Sequence, residues 1–282
     1  MTRHFQYRNV RNPLPLSAAV SASAGLLGAV VAPEDAVEAS GESTGDGKPT
    51  IVLVHGAFAD SSSWNDVIKQ LKQHGYPVVA AANPLRGLTT DSAQVKSLLA
   101  SIAGPVVLVG HSYGGAVITN AALGSEQVKA LVYVAAFIPD KGESADGLAK
   151  KFPGSSLGEA LRPVPCTLPD GSPGVDLYID PVNFHHQFAA DVHPYTTNLM
   201  AATQRPVTVA ALEEASGEPA WKAIPSWALV AGEDLNIPRA AQIFMARRAQ
   251  SHIIEIHSSH APSVSHPGDV ADIIEKAARS VR

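Results

Sequence analysis

The chain has 282 residues, 45% of them hydrophobic and 17% charged: enough apolar material for one large α/β domain with an insertion, and too little charge for a disordered chain. A formal net charge of −5, with no basic block beyond the extreme N-terminus, argues against a nucleic-acid partner. The one cysteine, Cys166, excludes an intrachain disulfide, and its neighbours Pro163, Pro165 and Pro169 mark a loop.

At the N-terminus Arg3, Arg8 and Arg11 precede an apolar, small-residue run from Leu14 to Ala32. That pattern reads as a secretory signal peptide over residues 1–32 and predicts a secreted or periplasmic protein. The alternative is a cytoplasmic chain with an N-terminal extension. The run is rich in Ala and Ser and weakly apolar for an anchor, so no stable membrane insertion is expected. Residues 33–48 are acidic and polar and read as a flexible linker. The domain proper spans 49–282.

From Pro49 onward, apolar runs alternate with helical patterns. Strands are predicted over Thr50–Val54, Pro77–Ala81, Val106–Val109, Val128–Ala135, Trp227–Val230 and His252–Ile256. Most are continuously apolar, as parallel strands buried on both faces are. Helices fall near 64–74, 91–102, 114–123, 238–249 and 267–281. Repeated βα units imply an α/β fold: a mostly parallel sheet of about six strands with helices on both faces. Residues 139–225 break the rhythm. They are rich in Pro and Gly, then carry short helical patterns around 183–190, 194–203 and 207–215, and read as a cap inserted above the carboxyl ends of the strands, where ligands bind in such sheets.

The sequence G-x-S-x-G occurs three times, at 41–45, 110–114 and 154–158. Only "GHSYG" at 110–114 follows an apolar strand and opens a small-residue helix. In that context it predicts a sharp strand-to-helix turn with Ser112 at its apex. A serine hydroxyl needs a base, and the base needs an orienting acid. Both follow in order at strand ends: Asp234 in "AGEDLNIP" and His260 in "SSHAPSVSHP". His257 ends its strand and His266 begins the next helix, whereas His260 lies mid-loop. Asp140, past the fourth strand, is the rival acid, and Glu233 the neighbouring one. Oxyanion donors are expected from the amides of Tyr113, next after the serine, and Ala57, after the tight turn at Gly56, with Phe58 the alternative to Ala57. His55 reads as structural. His185, His186, Asp191 and His193 cluster in the insertion, but no second group completes a metal site, so no metal is expected. Phe58, Phe137, Tyr195, Met200 and Trp221, with Ile138, are the candidate substrate-binding residues. None is cationic, which predicts a neutral substrate; Arg162 and Arg205 in the insertion are the residues that could turn inward.

The motifs "VLVHGAFADSSSW", "GHSYGGAV", "AGEDLNIP" and "SSHAPSVSHP" together resemble the α/β-hydrolase superfamily, in the branch of plant methyl-ester hydrolases and hydroxynitrile lyases. The resemblance covers about residues 49–282 and implies an α/β-hydrolase fold, a Ser112–Asp234–His260 triad and no cofactor. The lyases place a lysine directly after the catalytic histidine. Here that residue is Ala261, so the resemblance leans toward hydrolysis of a small neutral ester or lactone. Two alternatives share the triad: a cofactor-free haloperoxidase acting as a perhydrolase, and a ligand receptor. The pattern carries no mark of a particular oligomeric state.

Overall fold

The computed structural model describes residues 47–168 and 170–281. The signal-peptide reading of 1–32, and the linker reading up to residue 46, lie outside them. The chain alternates β1 (Thr50–Val54), α1 (Asn65–Gln73), β2 (Val78–Ala81), α2 (Leu88–Ala100), β3 (Val106–His111), α3 (Tyr113–Ala121) and β4 (Val128–Val134). Between β4 and the return to the sheet come α4 (Ala145–Lys150), α5 (Leu157–Ala160), β5 (Leu161–Thr167), β6 (Pro173–Ile179), α6 (Pro181–Phe188), α7 (Pro194–Thr203), β7 (Val207–Thr208) and α8 (Val209–Glu213). The chain then runs β8 (Ser226–Ala231), α9 (Arg239–Arg248), β9 (His252–Ile256), α10 (Pro262–Ser265) and α11 (Pro267–Ser280).

The main sheet has the order β2-β1-β3-β4-β8-β9, with every neighbouring pair parallel. These are the six strands expected from the sequence. Continuous apolar runs form them because both faces are covered. Ile51, Leu53, Val107, Val109 and Val132 pack on one face against Trp64, Val67 and Leu71 and against Val270, Ile273 and Ile274 of α11. The alternate residues Val52, Val54, Val106, Leu108 and Leu131 pack on the other face with α2, α3 and α9. In α11 the buried residues recur at three- and four-residue spacing, the stripe that lays a helix on a sheet. No helix of the described residues is long and apolar enough to cross a membrane.

The chain goes from β1 outward to β2, then returns to β3 on the other side of β1. The loops after β1 and β3 therefore leave adjacent strand ends in different directions and open a crevice between them. The loop after β1 and the turn after β3 are the segments that carry Ala57 and Ser112.

Residues 161–179 correct the expectation of a loop around Cys166. β5 and β6 pair antiparallel from Leu161↔Ile179 to Thr167↔Pro173, and β6 pairs with β7, making a second sheet of three strands. The prolines misled because they are ordinarily breakers. Pro163 and Pro165 are two residues apart on an edge strand, so their missing N–H groups share one lateral side and can both face away from β6. Arg86, in the loop before α2, fastens this second sheet to the main one. Its guanidinium lies 2.6 Å from Asp176 on β6 and donates to the Pro206 carbonyl at 2.7 Å.

Candidate active site

β3 ends in a buried histidine and passes into α3 through Ser112, whose φ of 53° lies in the left-handed region. A non-glycine residue there costs on the order of 1–3 kcal/mol and persists only where its surroundings hold it. Here the Ser112 amide donates to the Val134 carbonyl, and the Ser112 carbonyl accepts from Gly115 and Phe137. The flanking glycines supply clearance. A Cβ at Gly110 would lie 2.5 Å from the Gly114 carbonyl oxygen, and one at Gly114 would lie 2.5 Å from the Val54 carbonyl oxygen. At Gly56 an added Cβ would lie 2.6 Å from the Ser112 Cβ itself. The glycines thus let α3 and the first loop close around the serine.

His260 stands over that turn. Its Nε2 accepts from the Ser112 hydroxyl at 2.8 Å, and its Nδ1–H donates to Asp234 Oδ2 at 2.6 Å. All three residues are buried. Asp234 is held on every side. Oδ1 accepts from the amides of Asn236 and Ile237 at 2.7 and 2.9 Å, and Oδ2 also accepts from the Gln242 amide at 2.9 Å. The acid and histidine loops are themselves joined, since Glu233 N–H donates to the Ser258 carbonyl. The rival Asp140 is instead engaged by Lys222 at 2.7 Å, which holds its carboxyl below the usual range, and Glu233 faces an exposed His257 at 3.7 Å.

Four buried residues support these three; His55 is the structural residue expected from the sequence, and the partners of all four carry no sequence signal. His111 donates through Nε2 to the His260 carbonyl at 2.7 Å, and its ring lies 4.8 Å from that of His260. Burial first, and the nearby His260 second, push its pKa down to about 3, so it stays neutral. Its Nδ1 is buried without a partner, which a protonated ring could not tolerate. His55 accepts from the Asn83 amide at Nε2 and donates from Nδ1 to the Gly56 carbonyl, which fixes the loop after β1. Burial holds its pKa below the ordinary value. Tyr113 donates its hydroxyl to Asp91 at 2.9 Å; burial pushes the pKa of both groups up. Ser259, immediately before His260, is bound through its amide and hydroxyl by Asp191 of the α6–α7 connection.

The Phe58 amide donates to the Arg205 carbonyl at 3.0 Å, whereas the amides of Ala57 and Tyr113 have no backbone acceptor among the described residues. A cavity of about 430 Å³ opens over Ser112 and His260. Its walls include Ala57, Phe58, Tyr113, Phe137, Phe152, Leu157, Leu161, Leu177, Leu212 and Ile237.

Of the candidate substrate-binding residues, Phe58 and Phe137 line this cavity. Tyr195, Met200 and Trp221 do not. Tyr195 is 69% exposed on α7, Met200 lines a separate cavity, and Trp221 is tied back by its indole N–H to the Pro139 carbonyl. Their positions on short helices between β4 and β8 could not be oriented without knowing the second sheet. Ile138 is buried beneath Met245. Arg162, on β5, lies over the ring of Tyr178, on β6, and, like Arg205, is absent from the cavity wall. The cation that does reach the wall is Lys150, paired with Asp146 one turn earlier at 2.7 Å. His185 donates to the Val192 carbonyl, and His193 caps α7 by accepting from Tyr195 N–H.

Residues 51–273 match the model of the alpha/beta hydrolase family. The alpha/beta hydrolase nvfD of Aspergillus novofumigatus is 27% identical over 254 residues, which cover 82% of this chain and 97% of that protein. A carbendazim hydrolyzing esterase of Nocardioides is 32% identical over 113 residues, 36% of this chain and 47% of that protein. Among solved structures, polyneuridine aldehyde esterase shares the fold with a TM-score of 0.70 at 18% identity, over 81% of this chain and 98% of that one.

The buried neutral His111 generates a pH prediction. Its folded-state pKa lies below the unfolded value of 6.5, so the unfolded chain takes up the proton first as pH falls. Stability from this group is full above pH 6.5 and is lost progressively toward about 3, by up to about 1.4 kcal/mol per pH unit. His111→Gln keeps a donor for the His260 carbonyl and cannot titrate. Urea unfolding between pH 7 and 4 is expected to show a shallower acid loss for the variant; parallel slopes would contradict a neutral His111.

Proposed function

The chain belongs to the alpha/beta hydrolase family, and from that premise we propose that it cleaves a small, neutral carboxylic ester or lactone through an acyl-enzyme on Ser112. The observation that carries this reading is the continuous buried line from Ser112 Oγ through both nitrogens of His260 to Asp234, opening on an apolar cavity. Asp234 holds the proton on Nδ1, which leaves the Nε2 lone pair facing the serine hydroxyl.

In the proposed reaction Ser112 Oγ attacks the ester carbonyl while its proton passes to His260 Nε2. Asp234 stabilises the imidazolium, and neutral His111 adds no second charge beside it. The amides of Ala57 and Tyr113 donate to the developing oxyanion, a role from which Phe58 is withdrawn by its bond to Arg205. His260 then gives its proton to the departing alkoxide. Water repeats the sequence on the acyl-enzyme, with His260 taking its proton and returning it to Ser112.

The cavity sets the substrate class. Its walls over the serine are apolar, and Lys150 and Asp146 neutralise each other at the mouth. A substrate carboxylate would be desolvated there without a free cation. The names of two similar proteins, a carbendazim hydrolyzing esterase and polyneuridine aldehyde esterase, support ester chemistry. Residues 139–225, which contribute much of the wall, are the proposed cap on the 49–282 domain.

Ser112→Ala is expected to lower kcat/KM for p-nitrophenyl butyrate by about three orders of magnitude or more while leaving Tm unchanged. Asp234→Asn is expected to lose far more activity than Asp140→Asn. Retained activity in the first variant, or the reverse ranking in the second pair, contradicts the assignment. We also place the mature protein outside the cytoplasm, on the signal pattern at 1–32. N-terminal sequencing of protein from its native host is expected to start downstream of residue 20, and an intact N-terminus on cytoplasmic protein overturns export.

A further inference from the structure

A second cavity, of about 320 Å³, lies behind the loop that follows β1. Its wall has an apolar side, Leu199 and Met200 of α7 and Val264 of α10, and a polar side that includes Ser62, Asp66 of α1 and Gln204 just past α7. Among the described residues, Phe58 alone lines both this cavity and the one that holds Ser112. Phe58 is 4% exposed, and its ring stands edge-on to Phe188 at 6.4 Å between centroids.

The backbone makes this residue a peculiar choice. Phe58 has a φ of 60°, in the region where a Cβ crowds the carbonyl and glycine is favoured. The Arg205 carbonyl fastens its amide there. The neighbouring oxyanion donor at Ala57 is a backbone group and makes no demand on the next side chain. A glycine would satisfy the turn with less strain, so what calls for phenylalanine is the ring, and the residue that carries it borders both cavities.

We infer that Phe58 is a specificity-determining partition: it ends the Ser112 cavity and so limits the length of ester that can enter. Removing the ring joins the two spaces and lets a longer chain run past Ala57 along Leu199, Met200 and Val264. The inference rests on the ester-binding reading of the Ser112 site, but its test reads binding rather than turnover, so the two fail separately.

The experiment compares Ser112→Ala with Ser112→Ala/Phe58→Ala in the full chain, by calorimetric titration with p-nitrophenyl butyrate and p-nitrophenyl octanoate. The measured quantity is the ratio of the two affinities. Four further methylenes reach the apolar side of the second cavity, at Leu199, Met200 and Val264, only when the ring is gone. The ratio is expected to move toward octanoate by about tenfold in the double variant, and a shift below threefold overturns the partition. Where Phe58→Ala fails to fold, Phe58→Leu in the same background is judged by the same threshold. Loss of esterase turnover on Ser112→Ala bears on the hydrolase reading alone.

Discussion

The structure depends on one strained residue. Ser112 sits in a left-handed conformation at the end of β3, and every contact proposed for catalysis is measured from its hydroxyl. Local preference opposes that conformation, so packing must enforce it. Three glycines make the packing feasible. Gly110 and Gly114 let α3 fold back against β3 and the end of β1, and Gly56 lets the first loop pass within contact of the serine. A side chain at any of these positions would collide with backbone or with Ser112 itself. Ala57, Ser112 and Tyr113 accordingly line one cavity.

The histidine is fixed by a different logic. Its ring is oriented by a carboxylate that is itself saturated with donors, and its backbone is held on both sides, by His111 at its own carbonyl and by Asp191 through Ser259. Asp191 belongs to the segment between β4 and β8, so that insertion supplies a support for the histidine loop as well as cavity wall. Burial does the electrostatic work. It keeps His111 uncharged, so only His260 beside the serine is left to gain a proton during the proposed reaction.

The parallel sheet was legible because its strands are continuous apolar runs, and the order of Ser112, Asp234 and His260 was legible because each stands in a loop after such a strand. The second sheet was not. In "LRPVPCT" the breaker chemistry of proline hides an edge strand, where proline inside a strand is tolerated. That omission carried into the site: without β5 and β6, the helices that follow them had no orientation, and Tyr195, Met200 and Trp221 were placed toward a cavity they do not line. The supporting pairs His111–His260, Asp91–Tyr113 and Asn83–His55 join residues 22 to 149 positions apart, or meet through backbone atoms, and periodicity carries no trace of either. Lys150 was missed because its helix, α4, is short and lies in a Gly-rich stretch.

The most direct measurement of the central claim is labelling of the folded protein with a fluorophosphonate, followed by peptide mapping. The account predicts one phosphonyl group per chain, on Ser112, with labelling suppressed when His260 is replaced by Ala. A label on Ser258, Ser259 or any other serine, or no label on folded protein, would contradict it.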